Sequence, residues 1–280
     1  MSTPTELFEA WHRDLSGWGV PDEILAAAPE PPWGFPHRVF AERAQQQVAG
    51  REGPSYRRAR EALPEGGTAL DVGSGAGAAS LPLADRAGRV TAVDSDPDML
   101  AAMRAVAAAH PAMQADIVGV VGTWPDVAPE VDPADVVCCH HVLYNAPDLR
   151  PFAEALHGHA RRRVVCELTE RHPLEPMNPL WLQFHNLRRP SGPSAEDAAA
   201  ALRSLGYGVQ LEIRDSGPLH HYESLEEMVV FHRKRLCLPA SRDPEVADAL
   251  VALGVDPADP VALGAGRPLV TLWWDTGPSQ

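Results

Sequence analysis

The sequence predicts an α/β protein built around a mostly parallel sheet. Two features of the 280-residue chain indicate this. From residue 67 onward, short apolar runs alternate with helix-like stretches, which is typical of βαβ units with right-handed crossovers. A glycine-rich segment also lies where the first apolar run ends, and parallel sheets bind ligands at the carboxyl ends of their strands.

The first strands are predicted from short apolar runs bounded by turn residues. These runs are 68–72, 89–94, 117–121, 135–139 and 163–168. A helix is predicted at 76–87, ended by Gly88, and a second from the Ser95 region to Ala109. The second begins with a capping residue and acidic side chains in its first turn, both of which stabilise a helix start.

The last third of the chain has a different pattern. Capping residues predict helices that begin at Ser194, Ser224 and Asp243. Strands are predicted at 207–214 and 269–274. Between the fifth strand and the Ser194 helix lies 171–193, an irregular segment rich in Pro, His and aromatic residues. Irregular insertions of this length are more often functional than idle.

Composition narrows the classes of function. The chain is 45% hydrophobic with a net charge of −14, so it is globular and a poor general binder of nucleic acid. No apolar run approaches the ~18 residues of a membrane helix, and the acidic N-terminus predicts no secretory signal. The four cysteines form no C-x-x-C pair, which disfavours zinc and redox sites and predicts reduced thiols in the cytoplasm.

The glycine-rich segment after the first strand carries most of the functional information. Gly73 and Gly75 let the backbone turn sharply and approach a ligand closely, and Asp94 ends the second strand, where a carboxylate can bind a ribose. The pattern Gly73-x-Gly75-x-x-Ala78 formally fits a dinucleotide fingerprint. Asp71 instead suits a cationic group, such as the amino group of a methionine moiety, better than a pyrophosphate.

Three segments resemble, in order, motifs of the class I S-adenosylmethionine-dependent methyltransferases. Residues 70–77 (LDVGSGAG) resemble motif I, 93–100 (VDSDPDML) the second motif, and 135–149 (DVVCCHHVLYNAPDL) the motif of the fourth strand. The resemblance covers 67–152. It implies a doubly wound seven-stranded sheet that ends in an antiparallel hairpin of the last two strands, with S-adenosylmethionine as the cofactor.

The same resemblance implies the cofactor contacts. They are Asp71, Gly73, Ser74, Gly75, Gly77, Asp94, Ser95, Met99, Gly122, Thr123, Trp124 and His140. The glycine loop and Asp71 would hold the methionine end, Asp94 the ribose, and Met99 one face of the adenine. Where the family usually has an acid after the third strand, this chain has Gly122-Thr123-Trp124. Trp124 is therefore expected either to stack on the adenine or to lie in the core.

Three histidines are candidate catalytic residues. His140 and His141 end the fourth strand, and His185 lies in 171–193. An imidazole titrates near neutrality, so each could serve as a general base. For His140 and His141, the alternative is that strand alternation places one in the core and leaves the other as a wall of the substrate pocket. For His185, the alternative is a structural group in a surface loop. Because 171–193 leaves the carboxyl end of the fifth strand, it is expected to cap the acceptor.

The predicted organisation is an N-terminal helical lid over 1–66 and a methyltransferase domain over 67–280. That domain carries the cap near 171–193 and a helical insertion near 222–254. An aromatic cluster, Trp33, Phe35, His37 and Phe40, favours either a lid over the cofactor or helices buried against the sheet.

The predicted reaction is in-line transfer of a methyl group to a small-molecule acceptor. Neither a metal nor a membrane is expected to take part. The alternatives are an RNA or protein acceptor, an NAD-dependent oxidoreductase, and a protein that binds the cofactor without chemistry.

Overall fold

A computed structural model describes residues 3–33, 37–110, 113–215 and 221–277. Within these ranges, seven strands form one sheet in the order β3-β2-β1-β4-β5-β7-β6. The strands are β1 (Thr68–Val72), β2 (Arg89–Asp94), β3 (Asp116–Val121), β4 (Ala134–His140), β5 (Ala160–Thr169), β6 (Gln210–Arg214) and β7 (Leu269–Asp275). β7 is antiparallel to both of its neighbours, and the other pairs are parallel. The predicted sheet and its closing hairpin are confirmed.

Helices cover both faces of this sheet, as the doubly wound prediction requires. They are α1 (Pro4–Ser16), α2 (Asp22–Ala27), α3 (His37–Gly50), α4 (Pro54–Ala62), α5 (Pro97–Ala108), α6 (Leu149–His159), α7 (Asn178–His185), α8 (Ala195–Ser204), α9 (Leu225–Arg235) and α10 (Asp243–Ala252). One face packs against α1, α6 and α8, and the other against α3, α4 and α5. A third apolar cluster joins α2, α7, α9 and α10.

The N-terminal helices therefore separate to opposite faces of the sheet. Trp11 of α1 is 1% exposed, and its indole donates to the carbonyl of Ala146 at 2.9 Å. In contrast, α3 and α4 lie beside the carboxyl ends of β1, β4 and β5. Of the predicted aromatic cluster, Phe35 and the side chain of His37 lie outside the described residues, and Trp33 is exposed.

The predicted helix at 76–87 is wrong. The chain forms turns there and a short 3₁₀ segment at Leu81–Leu83. Gly77 takes a left-handed φ of +88°, and Pro82 has no N–H to donate to a helical ladder. The glycine loop is thus held by turns, without a regular helix behind it.

The segment 171–193 is more regular than predicted, because it contains α7. Leu180 and Trp181 of α7 are buried in the third cluster, against α9 and α10. Arg189 donates to the carbonyl of Gly19 at 3.3 Å and lies 4.3 Å above the Trp181 ring. These contacts anchor 171–193 to its neighbours in the third cluster.

Candidate active site

A pocket opens at the carboxyl ends of β1, β4 and β5. Its lining comes from the glycine loop, from the strand ends and from α3 and α4. The lining residues include Phe40, Arg43, Ser55, Tyr56, Asp71, Gly73, Ser74, Gly75, His140, His141 and Glu167. The structure thus brings two of the three candidate histidines next to the glycine loop. No residue of 171–193 is among those that line the pocket.

The three glycines of the loop have different physical tasks. A Cβ at Gly73 would lie 2.4 Å from Val142, and one at Gly77 would lie 2.7 Å from Leu81, so packing excludes side chains there. Gly75 differs, because among the described residues a Cβ there meets only the ring of Phe40, at 3.5 Å. Its φ of +50° is unfavourable for other residues, and the space above it is part of the pocket.

Asp94 fixes the shape of this loop. One carboxylate oxygen accepts from the backbone N–H of Gly75 at 2.7 Å, and the other accepts from the N–H of Asp96 at 2.9 Å. A carboxylate has about four acceptor positions, so two remain after these bonds. Asp94 can therefore shape the loop and accept from a ligand at the same time.

Asp71 is a buried carboxyl group with one unused oxygen. It is 1% exposed, and its Oδ2 accepts from the Ser80 hydroxyl at 2.6 Å. Its Oδ1 has no hydrogen-bond partner among the described residues. Burial raises the pKa of Asp71 to about 7, despite the opposing effect of Ser80. A cationic group bound in the pocket would satisfy Oδ1 and favour the ionised carboxylate.

The hydrogen-bonding groups and the space at Asp71, Gly75 and Asp94 fit the predicted cofactor. The unpartnered oxygen suits an ammonium group, the open face of Gly75 admits a ligand, and the free acceptor positions of Asp94 suit ribose hydroxyls. Ser95 follows Asp94 and is exposed, and Met99 is 9% exposed on α5.

The three residues that follow β3, Gly122 to Trp124, differ in exposure and packing. Thr123 is exposed, whereas Trp124 is 7% exposed. The Trp124 indole donates to the carbonyl of Phe152 at 3.3 Å and packs edge-on against His159. Gly122 leaves no room for a side chain, because a Cβ there would lie 2.1 Å from Val127. The Trp124 side chain thus lies in the core, the second of its two predicted positions.

His140 and His141 have different hydrogen-bond states. His141 Nε2 lies 2.5 Å from Arg43 Nη2 and 3.4 Å from Glu167 Oε1. Burial and the Arg43 charge lower the pKa of His141. His140 Nε2 is buried and has no partner among the described residues. Burial lowers the pKa of His140 to about 4, so its imidazole is neutral at physiological pH.

His185 is not brought to the pocket. Its Nε2 lies 2.6 Å from the carbonyl of Leu236, next to the third cluster. The site proposed below is built without it.

Glu167 of β5 is a pocket residue that the sequence did not single out. It is 4% exposed, accepts from the Ser55 hydroxyl at 2.7 Å and pairs with His140 in the strand register. Burial alone would raise the pKa of Glu167, but its contacts with His141, His140 and Ser55 outweigh burial and hold the pKa well below its usual value. A single acid within an apolar strand was the signal available in the sequence.

Comparison with known proteins decides the family. Residues 69–162 match a family model described as a methyltransferase domain. This part of the chain is a methyltransferase domain. The match confirms the family that the three motifs predicted, the S-adenosylmethionine-dependent methyltransferases, and it favours methyl transfer over the oxidoreductase alternative. No curated protein matches the whole sequence significantly.

Solved structures extend the similarity of fold beyond the methyltransferase domain. The YcgJ protein from Bacillus subtilis is 15% identical, with a TM-score of 0.54 over 84% of this chain and 99% of that one. A cyclopropane-fatty-acyl-phospholipid synthase-like protein from Lactobacillus casei ATCC 334 is 16% identical, with a TM-score of 0.54 over 91% and 98%. At these identities the similarity shows the fold.

Within the described ranges, no helix is long and apolar enough to cross a membrane. The same ranges contain no cluster of three or more His, Cys, Asp or Glu side chains that could hold a metal ion.

Proposed function

We propose that the methyltransferase domain transfers the methyl group of S-adenosylmethionine to a small-molecule acceptor in the pocket between the glycine loop and His140. The observation that carries this proposal is the pair of buried, unpartnered polar atoms, Asp71 Oδ1 and His140 Nε2, in one pocket. Buried polar atoms are normally hydrogen-bonded. Their presence together supports two ligands, one on each side of the pocket.

In the proposed site, Asp71 binds the ammonium group of the cofactor, Gly73–Gly77 approach its methionine end, and Asp94 accepts from the ribose hydroxyls. When bound, S-adenosylmethionine supplies an activated methyl group on its sulfonium. The protein then chiefly aligns the acceptor in line with that group. His140 Nε2 takes the proton of an acceptor that must lose one, and α3 and α4 exclude water from this side.

A small acceptor is supported by the surroundings of the pocket. The helices α3 and α4 cover it, and the chain carries a net charge of −14, which opposes binding of RNA. We further propose that 1–66 and 67–280 act as one catalytic unit in the cytoplasm, in which α3 and α4 serve as the lid. The four cysteines are free and buried, which supports a reducing compartment.

A labelling experiment tests the acceptor class. The protein is incubated with methyl-labelled S-adenosylmethionine and a cell extract separated into small molecules, RNA and protein. We expect label in the small-molecule fraction, and none with heat-inactivated protein. Label confined to RNA or protein would contradict the proposal and support the macromolecular alternative.

Replacing Asp94 with alanine is expected to weaken binding of S-adenosylhomocysteine about tenfold or more, since the loss of hydrogen bonds to a charged group costs about 1.5–3 kcal/mol. The loop also loses its bond at Gly75 N, so a lower melting temperature is expected. Calorimetry measures the affinity. Asp98→Ala, an exposed acid in the first turn of α5, is the matched control. Unchanged affinity in a folded Asp94→Ala protein would exclude the ribose role.

Binding of S-adenosylhomocysteine is expected to strengthen as pH rises from 5 to about 7. The ammonium group pairs with the ionised form of Asp71, whose fraction falls about tenfold per pH unit below its pKa of about 7. Asp71→Asn should remove this dependence and bind weakly at every pH. If wild type and variant show the same pH profile, Asp71 does not bind the ammonium.

The same carboxyl group predicts an opposite effect on the ligand-free protein. Its pKa is higher in the folded state than its ordinary value of 3.8, so between these two pKa values the folded state holds a proton that the unfolded state has lost. The free energy of unfolding contributed by Asp71 therefore falls as pH rises from about 4 to 7. Asp71→Asn should raise the melting temperature at pH 8 relative to wild type, measured by circular dichroism. A lower melting temperature for the variant at pH 8 would contradict this.

A further inference from the structure

Arg43 is a cation held at the wall of the pocket. It lies on α3 one turn after Phe40, the residue that faces Gly75. Its side chain is 42% exposed, and its Nη2 lies 2.5 Å from His141 Nε2 and 3.9 Å from Glu167 Oε1. No other acceptor contacts its guanidinium among the described residues. Several of its N–H groups therefore remain available to a ligand.

Positive charge exceeds negative charge around Glu167. Arg214, at the end of β6, also pairs with this carboxylate, with its Nη2 3.4 Å from Oε2. Two guanidinium groups thus share one carboxylate. The other acid that lines the pocket, Asp71, accepts a hydrogen bond from Ser80. This local excess is notable in a chain whose net charge is −14.

The Arg43 side chain is partly exposed and lines the pocket, so a ligand there can reach its guanidinium. A planar guanidinium presents a fork of donors that matches the two oxygens of a carboxylate. A ligand carboxylate would supply the missing charge and the missing acceptors together.

We infer that Arg43 binds a carboxylate group of a ligand in this pocket, with Glu167 and Arg214 as positioning residues. The inference rests on the proposed function, because it places the carboxylate in the same pocket as the cofactor. Two ligands could carry it. One is the cofactor, through its amino-acid end, and the other is an acceptor that bears an acid group.

Two probes separate these sources. S-Adenosylhomocysteine has the amino-acid end, whereas 5′-methylthioadenosine shares the adenosine and thioether and lacks that end. Their affinities are measured by calorimetry for wild type, Arg43→Gln, Arg43→Lys and the control Arg38→Gln. Arg38 lies on the same helix, is 64% exposed and pairs with Glu42. Benzoate is then titrated by NMR into each protein saturated with S-adenosylhomocysteine.

If the cofactor supplies the carboxylate, Arg43→Gln weakens S-adenosylhomocysteine about tenfold or more and leaves 5′-methylthioadenosine unchanged. Arg43→Lys then recovers part of the affinity, since it keeps the charge and loses the fork. If the acceptor supplies the carboxylate, S-adenosylhomocysteine binds wild type and Arg43→Gln equally. Benzoate then binds the complex of the wild-type protein but not the complex of Arg43→Gln.

Unchanged S-adenosylhomocysteine affinity together with no Arg43-dependent benzoate binding would overturn the inference. Failure of the wild-type protein to bind either adenosine compound would instead overturn the proposed function. The two failures are therefore distinguishable. Melting curves of each variant exclude unfolding as the cause of lost binding.

Discussion

Gly75→Val is expected to abolish measurable binding of S-adenosylhomocysteine in a protein that remains folded. The new side chain would occupy the open face of the glycine turn, where the structure offers only the Phe40 ring as a neighbour. A side chain forced into a space that the ligand fills costs about 1–3 kcal/mol, and the ligand also loses contacts at its methionine end. The affinity for S-adenosylhomocysteine is therefore expected to fall by about 100-fold or more. Calorimetry measures it.

Gly66→Val is the matched control for this substitution. Gly66 also has a left-handed φ, +70°, and a Cβ there has no neighbour within 4 Å. Both variants therefore carry the same type of backbone strain, on the order of 1–2 kcal/mol, but only Gly75 lines the pocket. Equal losses of affinity in the two variants would show that strain, and not occupation of the site, is responsible.

His140→Ala is expected to lower turnover by about 10²-fold or more if the acceptor must lose a proton. His140 Nε2 is the unpartnered nitrogen of the pocket, whereas Arg43 occupies the corresponding nitrogen of His141. Affinity for S-adenosylhomocysteine should stay within about twofold, because the histidine faces the acceptor side. Steady-state kinetics with an acceptor found by methyl labelling measure the effect.

The pH dependence gives this prediction a second readout. At saturating cofactor, the acidic fall of kcat/KM should lie near pH 4, following the pKa of His140, rather than near 6.5. The control is His12→Ala. His12 is an exposed histidine of α1 that pairs with Asp148, and the variant should keep wild-type rates. Wild-type turnover in His140→Ala would show that this residue does not transfer the proton. A loss of turnover in His185→Ala would instead support His185 as the general base, one of the three candidates from the sequence.

The parallel sheet and the glycine loop could be predicted because their signals are local. Most of the strands contain a short apolar run, and these runs alternate with helices, which indicated the sheet. Gly73, Gly75 and Asp94 stand at strand ends, and the ends of neighbouring parallel strands meet at one edge. The prediction of a helix at 76–87 was wrong for an equally local reason, because Gly77 and Pro82 interrupt a helix there.

The cover of the pocket could not be predicted from the same signals. The sequence indicated 171–193 because it leaves the end of β5 and is rich in aromatic residues. Its Trp181 instead packs against α9 and α10, while Phe40, Arg43 and Ser55 of α3 and α4 reach the pocket. Some of these contacts join residues far apart in the chain, such as Ser55 with Glu167, which are 112 positions apart. No periodicity within either segment encodes such a pairing.

By itself, the sequence determined the sheet, the glycine turn and the family, because these depend on short apolar runs and on residue types at fixed spacing. Only the tertiary structure decided which polar groups are buried together. It paired His141 with Arg43, left His140 Nε2 and Asp71 Oδ1 without partners, and placed two arginines around Glu167. The physical reason is that hydrogen bonding, burial and charge act through space. Their balance at one atom depends on elements that are distant in the chain.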